Sequence, residues 1–140
     1  MSVDFIDSNV FIYLFDETDP GKRRTAERLI QQALEAGSAT ISFQVVQETL
    51  SVLVGKLRRP ANRDEAQRFL DKVLAPLWQV MPSAALYQRA LDLQWRYRFG
   101  FYDSLIVAAA LEANCTRLVS EDLQHGQRIE GLVIDNPFAG

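Results

Sequence analysis

Short β-like runs that alternate with longer helical stripes predict an α/β fold built on a central, mostly parallel sheet covered by helices on both faces. Two further observations agree. The segment SLIVAAALEANC (residues 104–115) is almost free of polar side chains yet too short for the roughly 20 residues that cross a bilayer, so it reads as a helix buried in a domain interior. The chain has 140 residues, 48% hydrophobic and 24% charged, the composition of one ordinary domain spanning 1–140 that buries enough surface to need neither disulfides nor a structural metal. Cys115 and His125 each stand alone, which excludes an internal bridge and a Cys/His zinc cluster. The opening MSVDFID has no basic, apolar leader, so the expectation is a cytoplasmic protein with no membrane partner.

Taken in order, residues 3–7 (VDFID) form the first strand candidate, and Asp7, Ser8 and Asn9 offer capping groups for a short helix through Phe15. From Pro20, the apolar positions Ala26, Leu29, Ile30, Ala33 and Leu34 recur at helical spacing and stop at Gly37. Residues 39–43 (ATISF) form a second strand. Val46, Leu50, Leu53, Val54 and Leu57 then make one helical stripe ending before Pro60, and Ala66, Phe69, Leu70, Val73, Leu74 and Leu77 make another ending near Pro76. Residues 78–81 are a brief strand, and Ser83 caps a helix that Gly100 breaks. The buried helix over 102–114 follows, with strands at 117–120 (RLVS) and 132–135 before Pro137. The sheet therefore has about five strands.

Ligands of open α/β sheets sit beyond the carboxyl ends of the strands, and here those positions are acidic. Asp7 closes the first strand, Glu48 follows the second by a helical turn, Asp103 opens the buried helix, and Asp122 follows RLVS. Each acid has a plain structural alternative: Asp7, Asp103 and Asp122 as helix or turn caps, Glu48 as a solvated helix residue. Yet Ser8 and Asn9 already supply caps beside Asp7, and Glu48 has Val45 and Val52 as neighbours one helical turn away. Four carboxylates on one rim with no lysine among them repel one another, and a hard divalent cation, Mg²⁺ or Mn²⁺, resolves that repulsion.

Rival acidic α/β sites fit less well. A haloacid-dehalogenase-like phosphatase wants a second aspartate two residues after the first, where this chain has Asn9; a response-regulator receiver wants a late lysine, and none follows Lys72. No glycine-rich phosphate loop follows any strand. By contrast Asp7 in FIDSNV, Glu48 in QVVQETL, Asp103 in YDSLIVAAALEANC and Asp122 in LVSEDLQHG resemble, in order and along nearly the whole chain, the four acidic motifs of PIN-domain ribonucleases. More closely, the chain resembles VapC-type toxins of toxin-antitoxin pairs, and the closing EDLQHGQRIEGLVIDNPF is similar to the tail of one subgroup.

The resemblance implies a PIN-like three-layer α/β/α domain and a Mg²⁺- or Mn²⁺-dependent endoribonuclease acting on single-stranded regions of tRNA or ribosomal RNA. Its partners would be a cognate antitoxin and a second copy of the chain. Asp7, Glu48 and Asp103 match the acidic triad and Asp122 the fourth acid, with Glu121 as competitor for that place; Ser8, Asn9 and Ser120 are polar support. Ser104 stands where the family often has alanine. Two other readings remain: a catalytically inactive PIN-like binding module, and a metal-dependent nuclease acting on DNA.

A formal net charge of −3 argues weakly against a nucleic-acid partner, but without the four acids the rest of the chain carries +1. Twelve of the fifteen cationic residues are Arg, the type suited to bidentate phosphate contact. Lys56, Arg58, Arg59 and Arg63 follow Glu48 without an intervening acid; Lys22, Arg23, Arg24 and Arg28 form a second cluster; Arg89, Arg96 and Arg98 lie near Trp95, Tyr97 and Tyr102. Lys56, Arg58, Arg59, Arg96 and Arg98 are the RNA-binding candidates, since cations interleaved with aromatics suit single-stranded RNA.

Overall fold

The computed structural model describes residues 3–139; residues 1, 2 and 140, which fall within the expected domain, lie outside the described residues. The elements run β1 (Asp4–Ile6), α1 (Ser8–Ile12) continued by a 3-10 turn (Tyr13–Phe15), α2 (Pro20–Ala36), β2 (Ala39–Ser42), α3 (Phe43–Gly55) and α4 (Arg63–Phe69). A π-helical turn (Leu70–Leu74) leads into α5 (Ala75–Leu77), followed by β3 (Trp78–Val80), α6 (Ala84–Tyr97), α7 (Phe101–Glu112), β4 (Arg117–Val119), β5 (Arg128–Ile129) and β6 (Leu132–Asp135).

The sheet has six strands in the order β3-β2-β1-β4-β6-β5, parallel except for β5, which pairs antiparallel with β6. The expected count of five omits β5. Its two residues, one exposed Arg and one buried Ile, are too few to carry an alternation, and the strand exists because Ile129 pairs with Leu132 across a tight turn. The helix after β2 also starts earlier than the apolar stripe indicates, at Phe43, because Ser42 takes extended dihedrals that let the chain turn directly into helix.

Asp19 accepts from the Lys22 amide and Pro20 occupies the first turn of α2, while Gly37 ends the helix at φ 63°, a left-handed conformation that favours glycine. The helix containing Pro76 widens into a π turn just upstream of it. Proline lacks the N–H for the regular ladder and its ring crowds the carbonyl four residues back, and the wider turn accommodates both. Ser104 through Ala110 of α7 are buried on every side, with the helix packed on β2 and β4 and covered by α6. Its run of alanines lets backbone approach sheet closely. Among the described residues no helix is long and apolar enough to cross a membrane.

This topology fixes the rim that matters. The chain leaves β1 to one side for β2 and β3, then returns to the other side of β1 for β4 and β6, so the strand order reverses between β1 and β4. A crevice opens at the carboxyl ends of such a pair.

Candidate metal centre

Asp7 occupies that crevice. Its amide donates to the Val119 carbonyl at 2.9 Å, continuing the β1–β4 ladder, and the chain then turns into α1 with Asp7 as N-cap. The carboxylate is 3% exposed; Oδ1 accepts from the Ser8 amide at 2.7 Å and Oδ2 from the Ser120 hydroxyl at 2.7 Å. The capping alternative is therefore correct as far as it goes, but a cap needs neither burial nor a second donor. Burial pushes the Asp7 pKa up to about 7 against the pull of the Ser120 and Ser8 hydrogen bonds, and the charges of Asp122 and Glu48 raise it further.

Ser120, fully buried just after β4, ties two acids together: it donates to Asp7 and its Oγ accepts from the Asp122 amide at 3.1 Å. Glu48, one and a half turns into α3, is half-buried and held from two sides. Ser8 Oγ donates to its Oε1 at 3.1 Å, and Gln44, one turn earlier on the same helix, donates to its Oε2 at 3.3 Å. The same Gln44 nitrogen donates to the Tyr102 carbonyl at 3.1 Å, which joins α3 to the start of α7.

A helix that leads into a parallel strand starts at the carboxyl rim, which places Asp103 of α7 beside the other three acids. It is not a cap: Gly100 holds that position without a side-chain bond. Burial raises the Asp103 pKa, and the charges of Asp122 and Glu48 add to it. The charges of Asp122 and Glu48 thus reach both Asp7 and Asp103.

Glu121 is differently placed. Lys22 Nζ pairs with its Oε2 at 2.7 Å and Tyr13 donates to its Oε1; burial alone would raise its pKa, but those two bonds outweigh burial and hold it below the usual range. Asn9 Oδ1 accepts from the Glu121 amide at 3.3 Å, while Asn9 Nδ2 is buried without a partner. Asp122 stays exposed.

Do these residues fit a divalent cation? Their donor chemistry does: all four are carboxylates, the hard oxygen ligands that Mg²⁺ and Mn²⁺ take, and their mutual repulsion is what a cation would relieve. Among the described residues, however, no three acidic, His or Cys side chains converge closely enough to grip a metal as they stand. The acids share a neighbourhood rather than a closed ligand cage.

The basic candidates divide. Lys56 lines an open groove of about 430 Å³ together with Ser8, Gln47 and Glu48, next to the acids. Arg58 and Arg59 line a different hollow with Arg23 and Glu65. Arg96 is engaged with Asp92 and Glu130, both at 3.5 Å, and Arg98 lies over the Trp95 ring at 5.1 Å. His125 is exposed and accepts from the Asn136 amide, and burial drives the Cys115 thiol up to about 12, so neither offers chemistry to the site. Gln44 and Tyr13 escaped the sequence reading. Gln44 had a visible signal, its spacing of four from Glu48 on one helix face; Tyr13 had none.

Solved structures with the same fold include a toxin-antitoxin complex from Klebsiella pneumoniae (TM-score 0.68, 22% identity, covering 96% of this chain and 98% of that one). VapBC2 from Rickettsia felis bound to a promoter DNA fragment matches at TM-score 0.67 and 21% identity, with 96% and 98% covered. VapC20 from Mycobacterium tuberculosis, a Sarcin-Ricin loop cleaving toxin, matches at TM-score 0.60 and 20% identity over 85% of this chain and 91% of that one. No curated protein matches by sequence. The PIN domain profile matches residues 5–128. This chain belongs to the PIN domain family.

Proposed function

We propose that the protein is a metal-dependent endoribonuclease toxin of a VapBC-type pair, cutting single-stranded regions of RNA, with tRNA or ribosomal RNA as targets in the cytoplasm. The observation that carries this reading is the set of four uncompensated carboxylates at the β1–β4 crevice of a PIN fold.

Asp7, Glu48, Asp103 and Asp122 would hold Mg²⁺ or Mn²⁺, which when bound supplies charge to offset phosphoryl oxygens and acidity to a water. The protein's own groups set the stage for that chemistry. Ser120 and Ser8 fix the two Asp7 oxygens, Ser8 and Gln44 fix Glu48, and the unpartnered Asn9 Nδ2 is a donor for a water or phosphoryl oxygen. Lys56 in the adjoining groove neutralises backbone phosphate, with Arg58, Arg59, Arg96 and Arg98 as outlying cations. A small antitoxin and a second copy of the chain are the proposed partners; the exposed Tyr87, Leu91 and Trp95, four residues apart along α6, are a face that a second copy would cover.

The test is cleavage of labelled single-stranded RNA, duplex RNA and single-stranded DNA with Mg²⁺ or Mn²⁺ and with chelator. Metal-dependent cutting of RNA alone supports the reading, and preferential cutting of DNA would replace it with the DNA nuclease. The binding-module reading is favoured by one observation, the lack of three converging ligands among the described residues, and it predicts no cutting under any metal.

A further inference from the structure

Ser104 through Ala110 of α7 are buried, yet the first two residues of the helix carry exposed aromatic rings: Phe101 is 39% and Tyr102 66% exposed. Tyr102 precedes a proposed metal ligand, Asp103, and its ring is open to a stacking partner. Its backbone is not free to wander. Gln44 Nε2 bonds both the Tyr102 carbonyl and Glu48 Oε2, so one amide clamps the Tyr102 main chain to the acidic cluster. Phe101 meets the Tyr102 ring edge-to-face, with centroids 5.3 Å apart and planes at 77°, which steadies the pair.

We propose that Tyr102, steadied by Phe101, is a stacking platform for one unpaired nucleobase of the strand whose phosphate lies over the acids. The inference rests on the nuclease reading above and names a recognition element for the same site. A π-face accepts any base, so the platform confers preference for single strands over duplexes, where bases stay stacked on one another, rather than preference for sequence. Tyr102 is here a positioning residue; the acids remain the groups at the reacting phosphate.

The experiment measures affinity of a labelled single-stranded oligoribonucleotide, and of the same sequence as duplex, by fluorescence anisotropy in the D7N background, which retains the ring. Tyr102→Ala is expected to weaken single-strand binding by about tenfold, and Tyr102→Trp to restore it. Duplex affinity should change less than twofold in both. In the wild-type background Tyr102→Ala should raise KM more than it lowers kcat. Single-strand affinity unchanged by Tyr102→Ala, or a loss that Tyr102→Trp does not rescue, would overturn the proposal. So would a change of sedimentation coefficient on Tyr102→Ala with affinity unaltered, since the ring would then be covered by a second copy. Failure of the nuclease reading looks different: ring-dependent binding by a protein that cuts no RNA with either metal. Cutting with ring-independent binding removes the platform and leaves the nuclease.

Discussion

Two aspartates three residues apart, one at each end of β1, meet opposite fates. Asp4 begins the strand and is gripped by Arg117, the residue paired with it on β4; the same guanidinium reaches Asp135 on β6 at 2.7 Å, so one cation stitches three strands. The Asp4 hydrogen bonds, with the charges of Asp4 and Asp135, raise the Arg117 pKa. Asp7 follows the strand and receives an amide and a hydroxyl donor, and among the described residues no cation pairs with it or with Glu48, Asp103 or Asp122. Even Glu121, one residue from Asp122, is neutralised by Lys22. Asp4 and Asp135 tie three strands together through Arg117, whereas the four rim acids are the proposed cation ligands. Burial raises the Asp7 carboxyl to about 7, so its ionisation opposes folding.

The sharpest way to break this contrast is to remove the unpaired acids. D7N or D103N should abolish cleavage, a larger loss than the roughly 10–100-fold expected from removing a supporting group, while circular dichroism stays unchanged. Ser120→Ala, which frees both Asp7 Oδ2 and the Asp122 amide, should cost activity in that 10–100-fold range. If Ser120→Ala left the rate intact, the ordering role of the buried hydroxyl would be wrong.

At the other end of the strand the effects should fall on stability alone. Arg117→Met should lower the unfolding free energy by about 1 kcal/mol, discounted for a guanidinium that is 40% exposed, with no change in cleavage rate. A loss of activity without loss of stability would erase the distinction between the two ends.

The pH dependence separates them further. A carboxyl whose folded pKa is raised binds more protons native than unfolded, so its stabilising contribution is complete below the unfolded value of about 3.8 and is lost as pH rises to about 7. Metal-free protein should therefore become less stable between pH 4 and 7, with Asp103 acting in the same direction. D7N should flatten that slope and melt higher than wild type at pH 8, as thermal scans at several pH values would show. The smallest effect belongs to Lys22→Met. It releases Glu121 and should lower the melting temperature less than Arg117→Met does, because a solvent-screened pair contributes little.

The sheet was legible in the sequence; the Asp4–Arg117 pair was not. The alternation of VDFID, ATISF and RLVS with helical stripes gave the parallel sheet, and the acids after those runs gave the rim. What was not legible depends on contacts between distant segments. β5 is two residues long and exists only through Ile129 and Leu132. Glu121 and Asp122 are equivalent as text; they differ because Tyr13 and Lys22, about a hundred residues earlier, reach one and not the other. The cations behave likewise: Lys56 and Arg58 are neighbours in the chain, yet they line separate hollows, because α3 ends between its groove and the loop beyond.

Asp7, Glu48, Asp103 and Asp122 are proposed to share one cation site. Its most direct test is the melting temperature of wild type and D7N with and without Mn²⁺, at pH 6 and pH 8. Saturating metal at about 100 times its dissociation constant should add about 2.7 kcal/mol to wild type. The shift should be larger at pH 8, where Asp7 is ionised, and absent in D7N. An equal shift in D7N, or none in wild type at either pH, would contradict the account.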